Sequence, residues 1–198
     1  MSTNASVQVT KVAFPNQLTS MSGLLFTPPN MDKAKKYPAL AVSHPFGGVK
    51  EQTAGNYARK LAEKGYVTVA FDASHQGESG GYPRDTENPS ERLEDIRCAI
   101  DYLTTLPTVD VERIGLLGVC AGGSYVLGVG PTEMRPKAIA AVSIWDMGLI
   151  LFMSKPGYER AAQPKEWFEV PGATHHSLYD IDSDKAVPKL EVFFGRYL

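Results

Sequence analysis

A lone cysteine stands between two glycines in Gly118-Val119-Cys120-Ala121-Gly122, where an apolar run gives way to a helical stretch. This is the G-x-nucleophile-x-G form with cysteine as the reacting residue. A nucleophile on a tight strand-to-helix turn sits at strained backbone angles, so small neighbours are a steric requirement. The helix that starts there directs its first N–H groups and its dipole at the side chain. That favours thiolate and pulls the thiol below its reference pKa of about 8.5. The alternative is a small buried hydrophobe beside a glycine-rich turn. The placement between strand and helix signals favours the elbow. Cys98, mid-helix in "DIRCAIDYL", is read as packing.

A thiol nucleophile needs a base and a place for the oxyanion. The base is expected after the nucleophile in chain order. "VPGATHHSLYD" supplies His175, the better-placed candidate, with His176 as its neighbour; the alternative is a pair of exposed loop histidines. Upstream, "SHPFGG" (Ser43 to Gly48) has the look of a His-Gly loop. Its Phe46 N–H and that of Ala121 would form the oxyanion hole. His44 belongs to that loop, and His75 lies in "FDASHQGESGG". The four histidines have no metal-ligand spacing, and no cofactor is expected.

The elements that must position these groups alternate between strand and helix. "VQVTKVAF" (Val7 to Phe14) and "SGLLFTPP" (Ser22 to Pro29) read as a hairpin. "YPALAVSHP", "YVTVAFD" (Tyr66 to Asp72), "RIGLLGV" and "KAIAAVSIW" read as buried strands. Helices are expected over Thr53 to Lys64, from Pro89 to about Leu106, over Ala121 to Val129, and in the last 15 or so residues. "EWFEVPG" (Glu166 to Gly172) reads as a further strand. The order calls for an α/β fold, a mostly parallel sheet with helices on both faces. Between Trp145 and Glu166 only fragments stand where a full strand and helix belong, so the sheet is expected to be shortened.

Composition sets the limits. At 198 residues, 43% hydrophobic and 21% charged, the chain is expected to be a single globular domain. A net charge of −2 gives no footprint for nucleic acid or an anionic membrane. The N-terminus carries no signal-peptide pattern and no apolar stretch is long enough to span a bilayer. With two cysteines, Cys98 and Cys120, no disulfide framework is expected, and the reading is of a cytoplasmic protein. No G-x-G-x-x-G follows the first strand, which argues against a nucleotide-dependent oxidoreductase.

With elbow, oxyanion loop and late histidine in order, the chain resembles an α/β-hydrolase of the dienelactone-hydrolase-like group. More narrowly it is similar to the fungal polyketide transferase/thiohydrolase family. "HPFGGVKEQTAGNYARKLAEKGYVTVAFDASHQGESGG", "RIGLLGVCAGGSYV", "AVSIWDMG" and "PKEWFEVPGATHHSLYD" carry the resemblance. It implies Cys120 as nucleophile, His175 as base, and an acyl substrate, free or on a carrier protein. It also implies an acid on a strand that relatives carry, with a cap, where this chain is short near 148–152. No aspartate lies between Gly148 and His175, leaving Asp146 and Asp180 as candidates for the acid. A non-catalytic relative that binds a small apolar ligand or a protein partner is the alternative.

Overall fold

The computed structural model describes residues 6–17, 19–145, 158–159 and 162–198. In chain order the elements are β1 (Gln8–Asn16), β2 (Thr19–Thr27), β3 (Tyr37–Ser43), α1 (Thr53–Ala62), β4 (Val67–Phe71), α2 (Pro89–Thr105), β5 (Val109–Val119), α3 (Ala121–Val129) and β6 (Pro136–Val142). A 3₁₀ turn at Ser177–Tyr179 and α4 (Ser183–Tyr197) complete the described chain.

The strands form one sheet in the order β1-β2-β4-β3-β5-β6. The β1–β2 hairpin is antiparallel and joins β4 antiparallel, while β4, β3, β5 and β6 run parallel. Parallel strands must be covered on both faces, and the sequence shows it: every residue of β4 is buried, as are the last five of β3. Helices α1 and α4 pack on one face, α2 and α3 on the other. Helix starts follow local chemistry. Asn88 caps α2 by accepting from the Ser90 N–H (3.0 Å), with Pro89 in the first turn, where its missing donor costs nothing.

The chain reverses direction of build at β3, which has β4 on one side and β5 on the other. In such sheets the crevice at the carboxyl ends of the strands flanking the reversal is where ligands bind. The loop after β3 and the elbow after β5 meet there.

One expected element does not form. The stretch Glu166 to Gly172, read as a strand, takes no place in the sheet. Side chains hold it to α4 instead of ladder bonds. Glu166 pairs with Lys189 (2.8 Å) and Arg196 (2.6 Å), and Trp167 packs on Tyr158 at 5.5 Å between ring centroids. Among the described residues the sheet ends at β6.

Candidate active site

Cys120 follows β5 directly, at φ 57° and ψ −121°, and α3 begins at the next residue. Such angles cost a non-glycine residue about 1–3 kcal/mol and persist only where the surroundings impose them. Here the Cys120 N–H donates to Val142 O (3.0 Å). Its carbonyl accepts from Gly123 (3.0 Å) and Trp145 (3.1 Å). Both flanking glycines are sterically obligatory. A Cβ at position 118 would lie 2.1 Å from Gly122 O, and one at position 122 would lie 2.4 Å from Ser43 O and 2.6 Å from His44 O. The second clash also shows how tightly the loop after β3 is pressed against the elbow.

That loop turns at Pro45–Gly48, closed by Gly48 N–H to Pro45 O at 3.0 Å, with Gly47 at φ +62°. The bond leaves the Phe46 N–H outside the turn's own pairing, as the first position of a helix leaves that of Ala121. His44 is fully buried. The Ala73 N–H donates to its Nε2 (3.1 Å), so Nδ1 carries the hydrogen and donates to Pro45 O (2.7 Å). Burial, and then the Arg92 cation, hold the ring well below the usual histidine range and therefore neutral. Arg92 itself, buried in α2, donates to His44 O (2.8 Å) and Ser43 Oγ (3.2 Å), and stacks over Tyr125. His44 and Arg92 are thus struts of the loop after β3. The sequence marked the first and gave no sign of the second.

The segment 173–180 carries the candidate base. Ser143 Oγ lies 2.7 Å from His175 Nδ1 and donates to His175 O at 3.2 Å. Tyr179 OH lies 3.1 Å from His175 Nε2. The Trp145 ring meets the imidazole edge-on at 5.8 Å. Burial, and then His176, lower the His175 pKa from its ordinary value, so the ring is neutral and basic at pH 7. His176 is exposed and His75 is engaged elsewhere, with Glu91 (2.5 Å) and Pro83 O (2.8 Å).

The acid is where the sequence reading needs correcting. Asp180 does not reach the imidazole: it is exposed, and its carboxylate accepts from Asn56 of α1 (3.3 Å). The 3₁₀ turn ends there, and its carbonyl is taken by Ser183 at the start of α4, which carries the side chain away. Asp146 lies outside the described residues. At Nδ1, where an acid is expected, stands the Ser143 hydroxyl, on a residue at φ 50°. Aspartate tolerates that backbone region better than most residues. Ser143→Asp is therefore expected to place a carboxylate beside Nδ1 and raise the His175 pKa by about one unit or more. The base works deprotonated, so the acid limb of a pH–rate profile, below pH 6.5 in the parent, moves to higher pH, and turnover rises about tenfold. An unmoved limb would exclude the acid position.

A cavity of about 620 Å³ opens beside β6, walled by Leu127, Ile139, Val170 and Leu190, with Ser143 and His175 also lining it. Among the described residues no three His, Cys, Asp or Glu side chains gather as a metal site requires, and no helix is long and apolar enough to cross a membrane.

Sheet order, nucleophile elbow and late histidine together define an α/β-hydrolase. The comparisons narrow this. The sequence profile of the dienelactone hydrolase family matches residues 21–164, and the chain belongs to that family. Over 143 residues it is 54% identical to the uncharacterized protein YcjY of Escherichia coli, covering 71% of this chain and 47% of that protein. It is 30% identical to the acyltransferase drtE of Aspergillus calidoustus over 135 residues, covering 67% of this chain and 44% of that one. The crystal structure of hypothetical protein PA2218 from Pseudomonas aeruginosa superposes with a TM-score of 0.70 at 39% identity, covering 74% of this chain and 46% of that one. The chain spans less than half the length of each.

Proposed function

We propose that this protein is a cysteine-dependent acyl hydrolase or acyltransferase acting on an ester or thioester. The observation that supports the reading is Cys120 at φ 57° at the head of α3, its N–H on Val142 O, with His175 held by the next residue, Ser143. In this mechanism the Cys120 thiolate attacks the acyl carbonyl, and the N–H groups of Phe46 and Ala121 hold the oxyanion. His175 takes the thiol proton and returns it to the leaving group. Water then completes hydrolysis, or an alcohol or amine completes transfer. The apolar walls of the cavity beside β6 suit a hydrocarbon acyl chain. Likeness to a fungal acyltransferase supports a polyketide-derived acyl group in secondary-metabolite biosynthesis, delivered as a small molecule or on a carrier protein.

A second reading, a non-catalytic relative that binds an apolar ligand, is favoured by one observation: the hydroxyl of Ser143 at Nδ1. Intact mass and peptide mapping after brief exposure to an octanoyl thioester separate the two. An octanoyl group on Cys120, followed by its loss to water, is the expected result. Folded protein that binds the thioester without adduct or product would leave only the binding role.

A further inference from the structure

We propose that Ser143 is a positioning residue for the base: its hydroxyl fixes both the tautomer and the orientation of the His175 ring. The inference rests on the reading of Cys120 as nucleophile and His175 as its base, and adds a residue to it.

The hydrogen-bond directions set the tautomer. Ser143 has one hydroxyl hydrogen, and the His175 carbonyl 3.2 Å away can only accept it. Toward Nδ1, at 2.7 Å, the same oxygen therefore accepts, and Nδ1 carries the ring hydrogen. The lone pair is left on Nε2, where the Tyr179 hydroxyl donates at 3.1 Å. The opposite tautomer would draw the serine hydrogen to Nδ1 and leave the His175 carbonyl without it. Every polar atom in the row is matched only when the ring hydrogen sits on Nδ1.

Orientation follows from the same oxygen. It holds the carbonyl and the ring of one residue, which restricts the side-chain torsions between them. The backbone around His175 is itself fixed in a turn, by Thr174 N–H on Ser177 Oγ (2.7 Å) and Leu178 N–H on Thr174 O (3.3 Å). The sheet places the serine. Ser143 follows Val142, the last residue of β6, whose carbonyl accepts from the Cys120 N–H at 3.0 Å. The residue that holds the elbow and the residue that holds the base are thus neighbours in the chain. A non-glycine residue at φ 50° is uncommon and persists where its surroundings impose it.

The proton bookkeeping is simple. As the thiol proton moves to Nε2, giving thiolate and imidazolium, the phenol hydrogen turns away by rotation about its C–O bond. Nδ1 keeps its hydrogen on Ser143, and no proton passes to the serine. The serine oxygen meets the new positive charge on the ring as a dipole, where a carboxylate would meet it as a charge. Ser143 aims the base and decides which nitrogen is basic, without itself transferring a proton.

The test pairs the tautomer with the acylation rate, in the parent and in Ser143→Gly. Nitrogen NMR of protein labelled in its histidine rings, at about pH 8, where free imidazole is neutral, reports which nitrogen of His175 bears hydrogen. The signals are assigned by their loss in His175→Gln. In the parent the hydrogen is expected on Nδ1. Ser143→Gly deletes the hydroxyl at a backbone conformation that glycine adopts freely. It is expected to shift the hydrogen toward Nε2 and to slow Cys120 acylation by p-nitrophenyl acetate about tenfold, at an unchanged half-saturating concentration. A parent with its hydrogen on Nε2 overturns the inference, and this needs no variant should Ser143→Gly not fold. Ser143→Gly that keeps the Nδ1 tautomer, or that acylates within about twofold of the parent, overturns the positioning role alone. A parent that forms no Cys120 adduct overturns the nucleophile reading, and the positioning role with it.

Discussion

Cys120→Ala is expected to lower the acylation rate by about 10⁴-fold or more, since the site keeps its oxyanion donors but loses the atom that forms the bond. The variant should fold, because alanine meets the same strain at φ 57° as cysteine and fills less of the elbow. Cys120→Ser is the sharper comparison. A serine hydroxyl depends on a strong, well-supported base, whereas a thiol is nucleophilic with less help. With the Ser143 hydroxyl behind His175 among the described residues, serine is expected to stay about 10²–10³-fold below the parent. Cys98→Ala is the control: burial, then nearby carboxylates, push that thiol up to about 11 and keep it inert. The burst of p-nitrophenol release checks all three variants. A burst surviving in Cys120→Ala would place the nucleophile elsewhere.

Lys50→Met is expected to cost about 3–5 kcal/mol, the usual penalty for stripping one partner from a buried ion pair. Lys50 is 1% exposed and Asp72 fully buried, with Nζ to Oδ2 at 2.7 Å. Burial alone would lower the Lys50 ammonium. Its hydrogen bonds to Asp72, Glu51 and Glu78 outweigh that and hold it above its ordinary value, so it stays charged through neutral pH. Asp72 also accepts from the N–H groups of Lys50 (2.7 Å) and Glu78 (2.9 Å), so one carboxylate organises the loop after β4. That loop supplies the Ala73 N–H to His44, which links the ion pair to the oxyanion turn. For a chain of this size the loss corresponds to a fall in Tm of roughly 6–20 °C, read by thermal unfolding. A shift of about 1 °C or less would show that the pair contributes nothing.

The parts of the site that were legible in the sequence are those whose cause is local. A nucleophile between glycines announces a turn that admits no Cβ, and the structure supplies the clashes that make Gly118 and Gly122 necessary. The buried strands declared themselves by apolar runs, and α3 by its position after the elbow. What was not legible depends on neighbours far along the chain. Nothing in the sequence pairs Ser143 with His175, 32 residues on, so an acid was sought among aspartates where a hydroxyl stands. Nothing local marks Arg92, whose partners His44 and Ser43 lie almost fifty residues earlier. The stretch 166–170 had a strand's composition, but ion pairs to α4 hold it instead. Tyr179 did leave a sign: an aromatic four residues after a candidate base, within reach once a 3₁₀ turn forms between them.

The site is divided along the chain. Oxyanion turn, elbow and the Ser143 hydroxyl belong to the first 143 residues, while His175 and Tyr179 come in the last quarter. During synthesis the N-terminal part emerges first and begins to fold before the rest exists. The thiol is therefore made well before His175. A nascent chain carries the elbow before residues 173–180 exist, and on the proposed reading the nucleophile meets its base only when that segment docks through Ser143 and Tyr57. On that reading, docking of residues 173–180 is itself the activating event.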